Sequence, residues 1–517
     1  MMDGTSDSAQ GDGGLFGRPI FEDPQARRLS RVGVVDIGSN SVRLVVFDGA
    51  ARSPAYFYNE KIMCGLGAGM PETGRLNPEG KTRAMAALKR FQALARGMEL
   101  PPLTAVATAA MREAEDGPAF RSEIEQETGL RIWVIDGEEE ARLSAQGVLL
   151  GWPGADGLVC DIGGSSMELA QVKAGQVGRR VTSQLGPWRF MDLEGGKKAR
   201  EKYIRKTMKG LAETLQTTGK RLFLVGGSWR AIARIDMERR AYPLHVLHEY
   251  RMDAAAVLDT LKFIEKSDPD ELRSACSLSS ARMSLVPYAG EVLKELLAAF
   301  EPSEIAISSY GIREGLLYEQ MPQQLRDRDP LIEASRFSEA KDARRPGFGK
   351  KLYSFVLPLF PGADPSRLRL VKAACLLHDV SWRAHPDYRA QTCFDNATRA
   401  NLGGLTHGER VFLGLALLHR YKNKRDGTRF DDFYALIDED QQREAEVLGK
   451  AMRFGSMLWM SDTSREGARL EWDSAARKLT LFLTEEASPL YGEVAESRLN
   501  ALARAMSADG VEVKTEG

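Results

Sequence analysis

VGVVDIGSNS at 32–41 decides the fold, and GLVCDIGGSS at 157–166 repeats its pattern. Each copy is an apolar strand that ends in an aspartate, one apolar residue and a turn of small residues. Glycine and serine let backbone N–H groups approach an anion closely, and a strand-end aspartate suits a divalent cation beside a phosphate. The repeat therefore predicts two phosphate-sized turns that grip a phosphorylated substrate from both sides.

The composition of the chain is that of a globular protein. Of its 517 residues, 43% are hydrophobic and 28% are charged, and the formal net charge is −1. Because a single hydrophobic core stops growing well below this length, we expect about three or four domains. The five cysteines form no C-x-x-C pair and favour a reducing compartment over a disulfide framework.

The sequence predicts neither a membrane span nor a secretory signal. No apolar run reaches the roughly 18 residues of a membrane helix, and residues 1–30 lack the apolar core of a signal peptide. These 30 residues are rich in Gly, Asp and Ser, so we expect a disordered tail. We predict a cytoplasmic protein with no membrane and no nucleic-acid partner.

Strands alternate with helical patterns up to about residue 322, which predicts α/β sheets. Strands at 42–47 and 167–172 follow the two turns and make each turn part of a β-hairpin. Beyond this point strand signals become scarce, and helical patterns such as 368–377 and 411–418 dominate. Residues 341–430 hold 17 Lys and Arg against 7 Asp and Glu. Solvated helix faces and a surface for a polyanion both remain open for this basic region.

Two charged residues near the turns are candidates for chemistry. Glu140 is the last of three glutamates at a strand-to-helix junction, where a carboxylate facing the phosphate cleft can orient an attacking water. The helix dipole alone would favour acidic residues there, which accounts for Glu138 and Glu139. Arg112 is either a surface arginine or a phosphate ligand, because its planar fork matches phosphate oxygens. Glu168 lies two residues after Ser166, so the two side chains are on the same face of the extended chain.

The chain resembles the exopolyphosphatase/guanosine pentaphosphate phosphohydrolase (Ppx/GppA) family, within the actin–hexokinase–Hsp70 superfamily. Five stretches carry this resemblance in order: VDIGSNSVRLVV at 35–46, ETGRL at 72–76, ATAAMREA at 107–114, DGEEEARL at 136–143 and DIGGSSMEL at 161–169. Ser165 stands where a third glycine is common and Met167 where threonine is common. The methionine has no hydroxyl, so a hydrogen bond from this side chain to phosphate is not expected.

The resemblance implies an α/β fold of two ribonuclease-H-like, actin-like ATPase type domains that face a cleft. We expect a tail at 1–30, domain I at 31–145, domain II at 146–322, and an all-α HD-like C-terminal region at 323–517 with one or two subdomains. It also implies a homodimer.

The resemblance also implies roles for individual residues. Glu140 would be the base, assisted by Asp161, Glu168 and Arg112, and Mg²⁺ would be held by Asp36, Asp161 and Glu168. The expected phosphate ligands are Gly38, Ser39, Asn40, Ser41, Arg43, Gly163, Gly164, Ser165, Ser166 and Gly227. The basic region, rather than the resemblance, predicts a track for the polymer at Arg420, Lys422, Lys424 and Arg425.

The helical region contains Leu376-Leu377-His378-Asp379, which resembles the HD signature of metal phosphohydrolases. A working HD site needs an upstream histidine as well, and none lies between His248 and His378. We therefore predict that His378 and Asp379 are a buried, hydrogen-bonded, metal-free pair.

The predicted function is Mg²⁺-dependent removal of the terminal phosphate from inorganic polyphosphate. Hydrolysis of guanosine pentaphosphate (pppGpp) by the same residues is the nearest alternative. A small-molecule kinase of the same superfamily is a second alternative, with its nucleotide near Gly226-Gly227-Ser228. A non-catalytic sensor would be expected to lack Glu140, which is present.

Overall fold

The computed structural model describes residues 31–48, 52–191, 193–423, 429–458 and 467–516. Its described residues fall into two structural units, one up to Pro330 and one from Leu331 onward. The predicted tail at 1–30 lies outside the described residues. The predicted domain boundary at 145/146 falls inside a helix of the first unit, Gly137–Gly151.

The first unit contains eleven described strands. They are β1 Val32–Ile37, β2 Ser41–Phe47, β3 Tyr56–Met63, β4 Thr104–Ala107, β5 Ile132–Val134, β6 Gly157–Ile162, β7 Met167–Lys173, β8 Gln176–Ser183, β9 Arg221–Val225, β10 Arg251–Met252 and β11 Ile305–Ser308. Its helices are α1 Met70–Thr73, α2 Pro78–Gly97, α3 Ala109–Glu113, α4 Gly117–Thr128, α5 Gly137–Gly151, α6 Gly196–Leu215, α7 Gly227–Arg239, α8 Ala254–Lys266, α9 Pro269–Ala275, α10 Ser280–Met283, α11 Val286–Phe300, α12 Ile312–Glu319 and α13 Gln323–Arg326.

Two sheets of this unit have matching topology. The first has the order β3-β2-β1-β4-β5 and the second the order β10-β11-β9-β6-β7-β8. In each, an antiparallel three-stranded meander continues into parallel strands, β1 with β4 in the first and β6 with β9 in the second. The apolar strands are buried because helices cover them, as expected for parallel sheets. The predicted duplicated α/β fold is confirmed.

Helices α5 and α12 cross at glycines. A β-carbon on Gly147 would lie 2.2 Å from the carbonyl oxygen of Gly311, and one on Gly315 would lie 1.8 Å from that of Leu143. Because only glycine allows this approach, α12 is held tightly against α5. The crossing fixes Arg313, at the start of α12, near the end of β1.

The second unit is helical at first and ends in a small sheet. Its helices are α14 Pro330–Asp342, α15 Phe348–Val356, α16 Pro365–Leu377, α17 Arg389–Arg399, α18 His407–His419, α19 Glu439–Gly455 and α20 Glu493–Ala505. Its strands are β12 Ala468–Asp473, β13 Lys478–Thr484 and β14 Gly510–Glu516, in the order β12-β13-β14. The predicted helices at 368–377 and 411–418 are confirmed, whereas the expectation of an all-α region missed this sheet.

Each helix of the described residues is too short or too polar to cross a membrane.

Candidate active site

The first phosphate turn follows β1 and is held by a neighbouring loop. The Gly38 N–H donates to the carbonyl of Ser41 at 3.0 Å, which closes the turn. The carbonyl of Asn40 accepts from the N–H groups of Cys64 and Gly65 at 3.0 and 2.9 Å. Because these bonds occupy backbone carbonyls, the turn is fixed in place while its side chains face the cleft.

The second turn has the same construction. The Gly163 N–H donates to the carbonyl of Ser166 at 2.9 Å, the counterpart of the bond from Gly38 to Ser41. The carbonyl of Gly164 accepts from the Trp188 N–H at 2.9 Å, and a β-carbon on Gly164 would lie 2.8 Å from the Trp188 ring. Glycine at 164 is therefore required by close packing, whereas Ser165 fits where the family commonly has a third glycine.

Four carboxylates converge beside these turns. Asp36 and Asp161 occupy matching positions near the ends of β1 and β6, and Glu140 lies in the first turn of α5. Glu168 faces Asp161 across the β6–β7 ladder and accepts a hydrogen bond from the Thr182 hydroxyl at 3.2 Å. Asp161 accepts one from the Ser144 hydroxyl. Ser144 lies one helical turn after Glu140, on the same face of α5.

Burial governs the protonation of these groups. It raises the pKa of Asp36 and of Asp161, and it raises the pKa of Glu168 well above its ordinary range, with the charge of Glu140 adding to the effect. Burial, followed by repulsion from Asp161, raises the pKa of Glu140 to about 8. A carboxyl with this pKa is suited to take up a proton near neutral pH.

Glu140 has one oxygen without a hydrogen-bond partner. Its Oε2 is buried and accepts no hydrogen bond, although Arg112 Nη1 lies 3.6 Å away. That Arg112 nitrogen donates instead to the carbonyl of Ile135 at 2.8 Å, and its other terminal nitrogen lies 3.6 Å from Glu113. Arg112 is thus held beside the predicted base.

Basic side chains from distant segments surround the carboxylates. Arg313 Nη1 lies 3.6 Å from Asp36 Oδ2, and Arg230 Nη1 donates to the carbonyl of Ser309 at 3.3 Å. Burial lowers the pKa of Arg230 to about 10. Arg282 lies against the second glycine of the Gly226-Gly227 turn, where a β-carbon on Gly227 would lie 2.5 Å from its Cζ. Arg282 Nη1 also donates to the Ser228 hydroxyl at 3.2 Å.

Sequence reasoning did not single out these cations. Arg230 lies within GGSWRAI at 226–232 and Arg313 within SSYGIREG at 308–315, but nothing in a single sequence shows where their side chains point. Lys61 and Arg282 had no sequence signal, since they come from β3 and from a short helix far along the chain.

The two turns border a cavity of about 460 Å³ in the first unit. Twelve predicted site residues line it: Asp36, Gly38, Ser39, Asn40, Ser41, Glu140, Asp161, Gly163, Gly164, Ser165, Ser166 and Gly227. Lys61 and Arg282 also line it, whereas Arg43, Arg112 and Glu168 are not among its lining residues. Arg43 is anchored on β3 by a 2.7 Å hydrogen bond from its Nε to Asn59.

The donor set suits magnesium. No group of three or more His, Cys, Asp or Glu side chains is preassembled for a metal within the described residues. Mg²⁺ requires less than this, because it usually takes one or two carboxylates together with waters and substrate phosphates. Buried carboxylates whose pKa values are raised would be relieved by a cation, so Asp36 and Asp161 fit such an ion.

The HD-like pair of the second unit is satisfied internally. Both oxygens of Asp379 accept from Arg344, from Nε at 2.8 Å and from Nη2 at 2.6 Å. His378 Nδ1 lies 2.8 Å from the carbonyl oxygen of Cys375, and burial lowers the pKa of His378 to about 4. Both residues are buried as predicted, but the expected hydrogen bond between them is replaced by these separate partners.

The predicted polyphosphate track is only partly described. Arg420 and Lys422 are half-buried, and the Arg420 guanidinium lies over the ring of Tyr421, 4.7 Å from its centre. Lys424 and Arg425 lie outside the described residues.

Solved structures share the fold of the first unit. An exopolyphosphatase from Cytophaga hutchinsonii is 24% identical with a TM-score of 0.52, covering 56% of this chain and 98% of that one. The Ppx/GppA family member from Aquifex aeolicus is 22% identical with a TM-score of 0.50, covering 57% and 98%.

Sequence comparisons extend beyond the first unit. Retrograde regulation protein 2 of Saccharomyces cerevisiae is 23% identical over 434 residues, covering 75% of this chain and 72% of the yeast protein. Residues 353–510 match the exopolyphosphatase C-terminal family. Residues 45–324, more than half of the chain, match the Ppx/GppA phosphatase family. The chain therefore belongs to the Ppx/GppA phosphatase family.

Proposed function

We propose that this protein is a Mg²⁺-dependent exopolyphosphatase that hydrolyses the terminal phosphate of inorganic polyphosphate. One observation carries the proposal: the buried Glu140 carboxylate leaves Oε2 without a hydrogen-bond partner beside two facing phosphate turns. A buried carboxylate oxygen that accepts no hydrogen bond costs folding free energy. A water or substrate group that donates a hydrogen bond to Oε2 would remove this cost.

Substrate binding rests on the turns and on the surrounding cations. Backbone N–H groups of the Gly38 and Gly163 turns would approach the phosphate oxygens, and Arg282 and Lys61 line the same cavity. Arg313 and Arg230 add positive charge from behind Asp36 and Asp161. Phosphoryl transfer relies mainly on positioning and on charge neutralisation, and these groups are suited to both.

The proposed step is the attack of one water on the terminal phosphorus. The water oxygen forms the new P–O bond, and the bond to the bridging oxygen breaks. Glu140 Oε2 takes the proton from the water, and the shortened chain leaves with the bridging oxygen. A Mg²⁺ ion held by Asp36 and Asp161, with Glu168 behind them, would neutralise charge on the phosphate oxygens.

Hydrolysis of pppGpp is a second candidate, and a neighbouring cavity supports it. A cavity of about 840 Å³ begins at Asn40 of the first turn and is lined by Trp188 and Tyr203. Glu72, Glu194 and Arg189 also line it. Arg189 is already paired with Glu113, so the two carboxylates would repel a polyphosphate chain. Aromatic rings suit a nucleobase instead, because base stacking needs only a flat apolar face.

Phosphate release from long polyphosphate, tripolyphosphate and pppGpp, measured side by side, tests both candidates. The exopolyphosphatase proposal predicts phosphate release from both polyphosphates without any acceptor. Phosphate release from pppGpp alone would contradict it and favour the second candidate. Phosphate transfer that requires an added acceptor would favour the kinase alternative.

A variant of the neighbouring cavity sharpens this assay. Tyr203→Ala should raise KM for pppGpp by roughly tenfold or more if a base stacks there, and KM for polyphosphate should not change. Exposed Lys202→Ala is the matched control.

A further inference from the structure

Ser144 has an uncommon hydrogen-bond partner for a serine in a helix. Serine and threonine hydroxyls within helices commonly donate to the backbone carbonyl four residues earlier, as Ser122 does to Pro118 at 3.1 Å. The Ser144 hydroxyl instead donates to Oδ2 of Asp161, on β6. Tertiary packing, and not the helix itself, therefore selects the partner of Ser144.

The hydrogen bond between Ser144 and Asp161 is shielded from solvent. Ser144 is 1% exposed, and its helix α5 packs against β6 and β7. Because no water reaches the hydroxyl, rotation of the Asp161 carboxylate would leave a buried donor unsatisfied, which is costly. The bond consequently fixes the rotation of this carboxylate.

The two oxygens of Asp161 have different surroundings. Oδ2 lies near the start of α12, where a β-carbon on Gly311 would be 3.9 Å away. Oδ1 lies beside Gly226, whose β-carbon would be 3.2 Å away. Asp161 lines the cavity of the two turns, and within the described part of the chain its Oδ1 accepts no hydrogen bond. Oδ1 is therefore the oxygen that is left to bind a cation.

Asp36, the matching residue of the first turn, is held differently. Its nearest basic nitrogen is Nη1 of Arg313, 3.6 Å from Oδ2, which is too long for a hydrogen bond. Among the residues that the structure describes, no side chain donates a hydrogen bond to Asp36. Of the two strand-end aspartates, only Asp161 thus has its carboxylate fixed in rotation.

Helix α5 carries both Ser144 and Glu140. The two residues are four apart, so their side chains lie on one face, about one turn or roughly 5.4 Å from each other. The hydrogen bond from Ser144 therefore ties Asp161 to the same stretch of helix that carries the proposed base.

We propose that Ser144 is a positioning residue, which holds the Asp161 carboxylate so that Oδ1 is presented to the divalent cation at a fixed place relative to Glu140. This inference rests on the proposed Mg²⁺-dependent function. Groups that hydrogen-bond to the ligands of a metal orient those ligands, and their loss typically costs roughly 10–100-fold in metal affinity or activity.

Mn²⁺ binding to the full-length protein in the presence of inorganic phosphate, followed by electron paramagnetic resonance, tests the role without turnover. Ser144→Ala should raise Kd for Mn²⁺ by roughly tenfold. Ser144→Thr keeps the hydroxyl and should bind Mn²⁺ like the unmodified protein. If Ser144→Ala does not fold, Ser144→Cys replaces it, because a thiol is only a weak donor.

Ser335→Ala is the matched control. It also removes a fully buried hydroxyl, but one that has no hydrogen-bond partner within the described ranges. It should leave Mn²⁺ binding unchanged.

A double variant shows whether Ser144 acts through Asp161. In an Asp161→Asn background, Ser144→Ala should weaken Mn²⁺ binding no further, because two changes that act through one group are not additive. A purely structural role of Ser144 would instead give the same loss in both backgrounds.

Equal Kd values for Mn²⁺ in Ser144→Ala and Ser335→Ala would overturn the proposal, as would equal losses from Ser144→Ala in both backgrounds. Binding by Ser144→Thr as weak as that by Ser144→Ala would contradict a role for the hydroxyl. Absence of Mn²⁺ binding by the unmodified protein would show that Asp161 presents no oxygen to a cation. Failure of the unmodified protein to hydrolyse polyphosphate would contradict the proposed function alone, since the Mn²⁺ comparison involves no hydrolysis.

Discussion

The two phosphate turns share a backbone but differ in charge at one matched position. Asp36 pairs in register with Arg43 across β1 and β2, and Asp161 pairs in the same way with Glu168 across β6 and β7. Arg313 lies beside the first aspartate, whereas Ser144 donates to the second and Glu140 repels it. The duplication has preserved the turn and changed its electrical surroundings.

This difference suggests a division of work between the turns. A basic side chain behind the first turn favours the negative charge of the substrate. Acidic groups behind the second turn favour a cation and a proton acceptor. A symmetrical pair of turns could grip a phosphate, but it would offer no preferred side for the attacking water.

The largest expected effect comes from the base beside the second turn. Glu140→Gln should lower turnover by roughly 10²–10⁴-fold, because an amide cannot accept the proton from the attacking water. Binding of polyphosphate should remain nearly unchanged. Glu138→Gln, on the same first turn of α5, is the matched control and should have near-normal turnover. Near-normal turnover of Glu140→Gln would show that Glu140 is not the base.

The pH dependence of stability is the next test. Glu140 has a folded-state pKa of about 8 and an ordinary value of 4.5. Its neutral form is favoured in the folded protein. Glu140 therefore adds to the free energy of unfolding below pH 4.5, and this contribution is lost as the pH rises through 8.

Without magnesium, the unmodified protein should therefore lose stability between pH 5 and pH 8. Glu140→Gln should remove roughly 3 kcal/mol of that loss. Denaturant unfolding at several pH values measures the difference. Parallel pH profiles for the two proteins would show that Glu140 is ionised in the folded state at low pH.

The matched charges can be compared directly. Arg43→Gln should raise KM by about tenfold with little change in kcat, because it weakens charge attraction for the substrate. Glu168→Gln should instead lower kcat and leave KM nearly constant. Steady-state kinetics on tripolyphosphate distinguishes the two outcomes, and the same kinetic defect in both variants would contradict the division of work.

The smallest expected difference is between Asp36 and Asp161 in how strongly their substitution raises the magnesium requirement. Asp161→Asn should raise the magnesium concentration for half-maximal activity by roughly tenfold, because a neutral amide holds a hard cation poorly. Asp36→Asn should raise it less, since Arg313 already offsets the charge of Asp36. Magnesium titrations of both variants measure this, and a larger shift for Asp36→Asn would reverse the assignment.

The duplicated turns could be predicted from sequence because they depend on local chemistry. A strand that ends in Asp and small residues specifies both the hairpin and the position of its carboxylate, as Asp36 and Asp161 show. Ser144 was also within reach, since it lies four residues after Glu140 on one helix face.

Long-range features were harder to predict. Arg282 and Lys61 reach the cavity through tertiary packing, and no local pattern reports that. The C-terminal sheet was different, because KLTLFLT at 478–484 has high β-propensity and GVEVKTE at 510–516 begins with alternating apolar residues. The strong helical signal of the preceding region concealed those strands.

Hydrolysis of tripolyphosphate in ¹⁸O-labelled water tests the central claim most directly. Attack of water on the terminal phosphorus predicts one ¹⁸O in each released phosphate and none in the pyrophosphate that remains, measured by mass spectrometry after a single turnover. Label in the pyrophosphate with unlabelled phosphate, or no release of phosphate at all, would contradict terminal hydrolysis between the two turns.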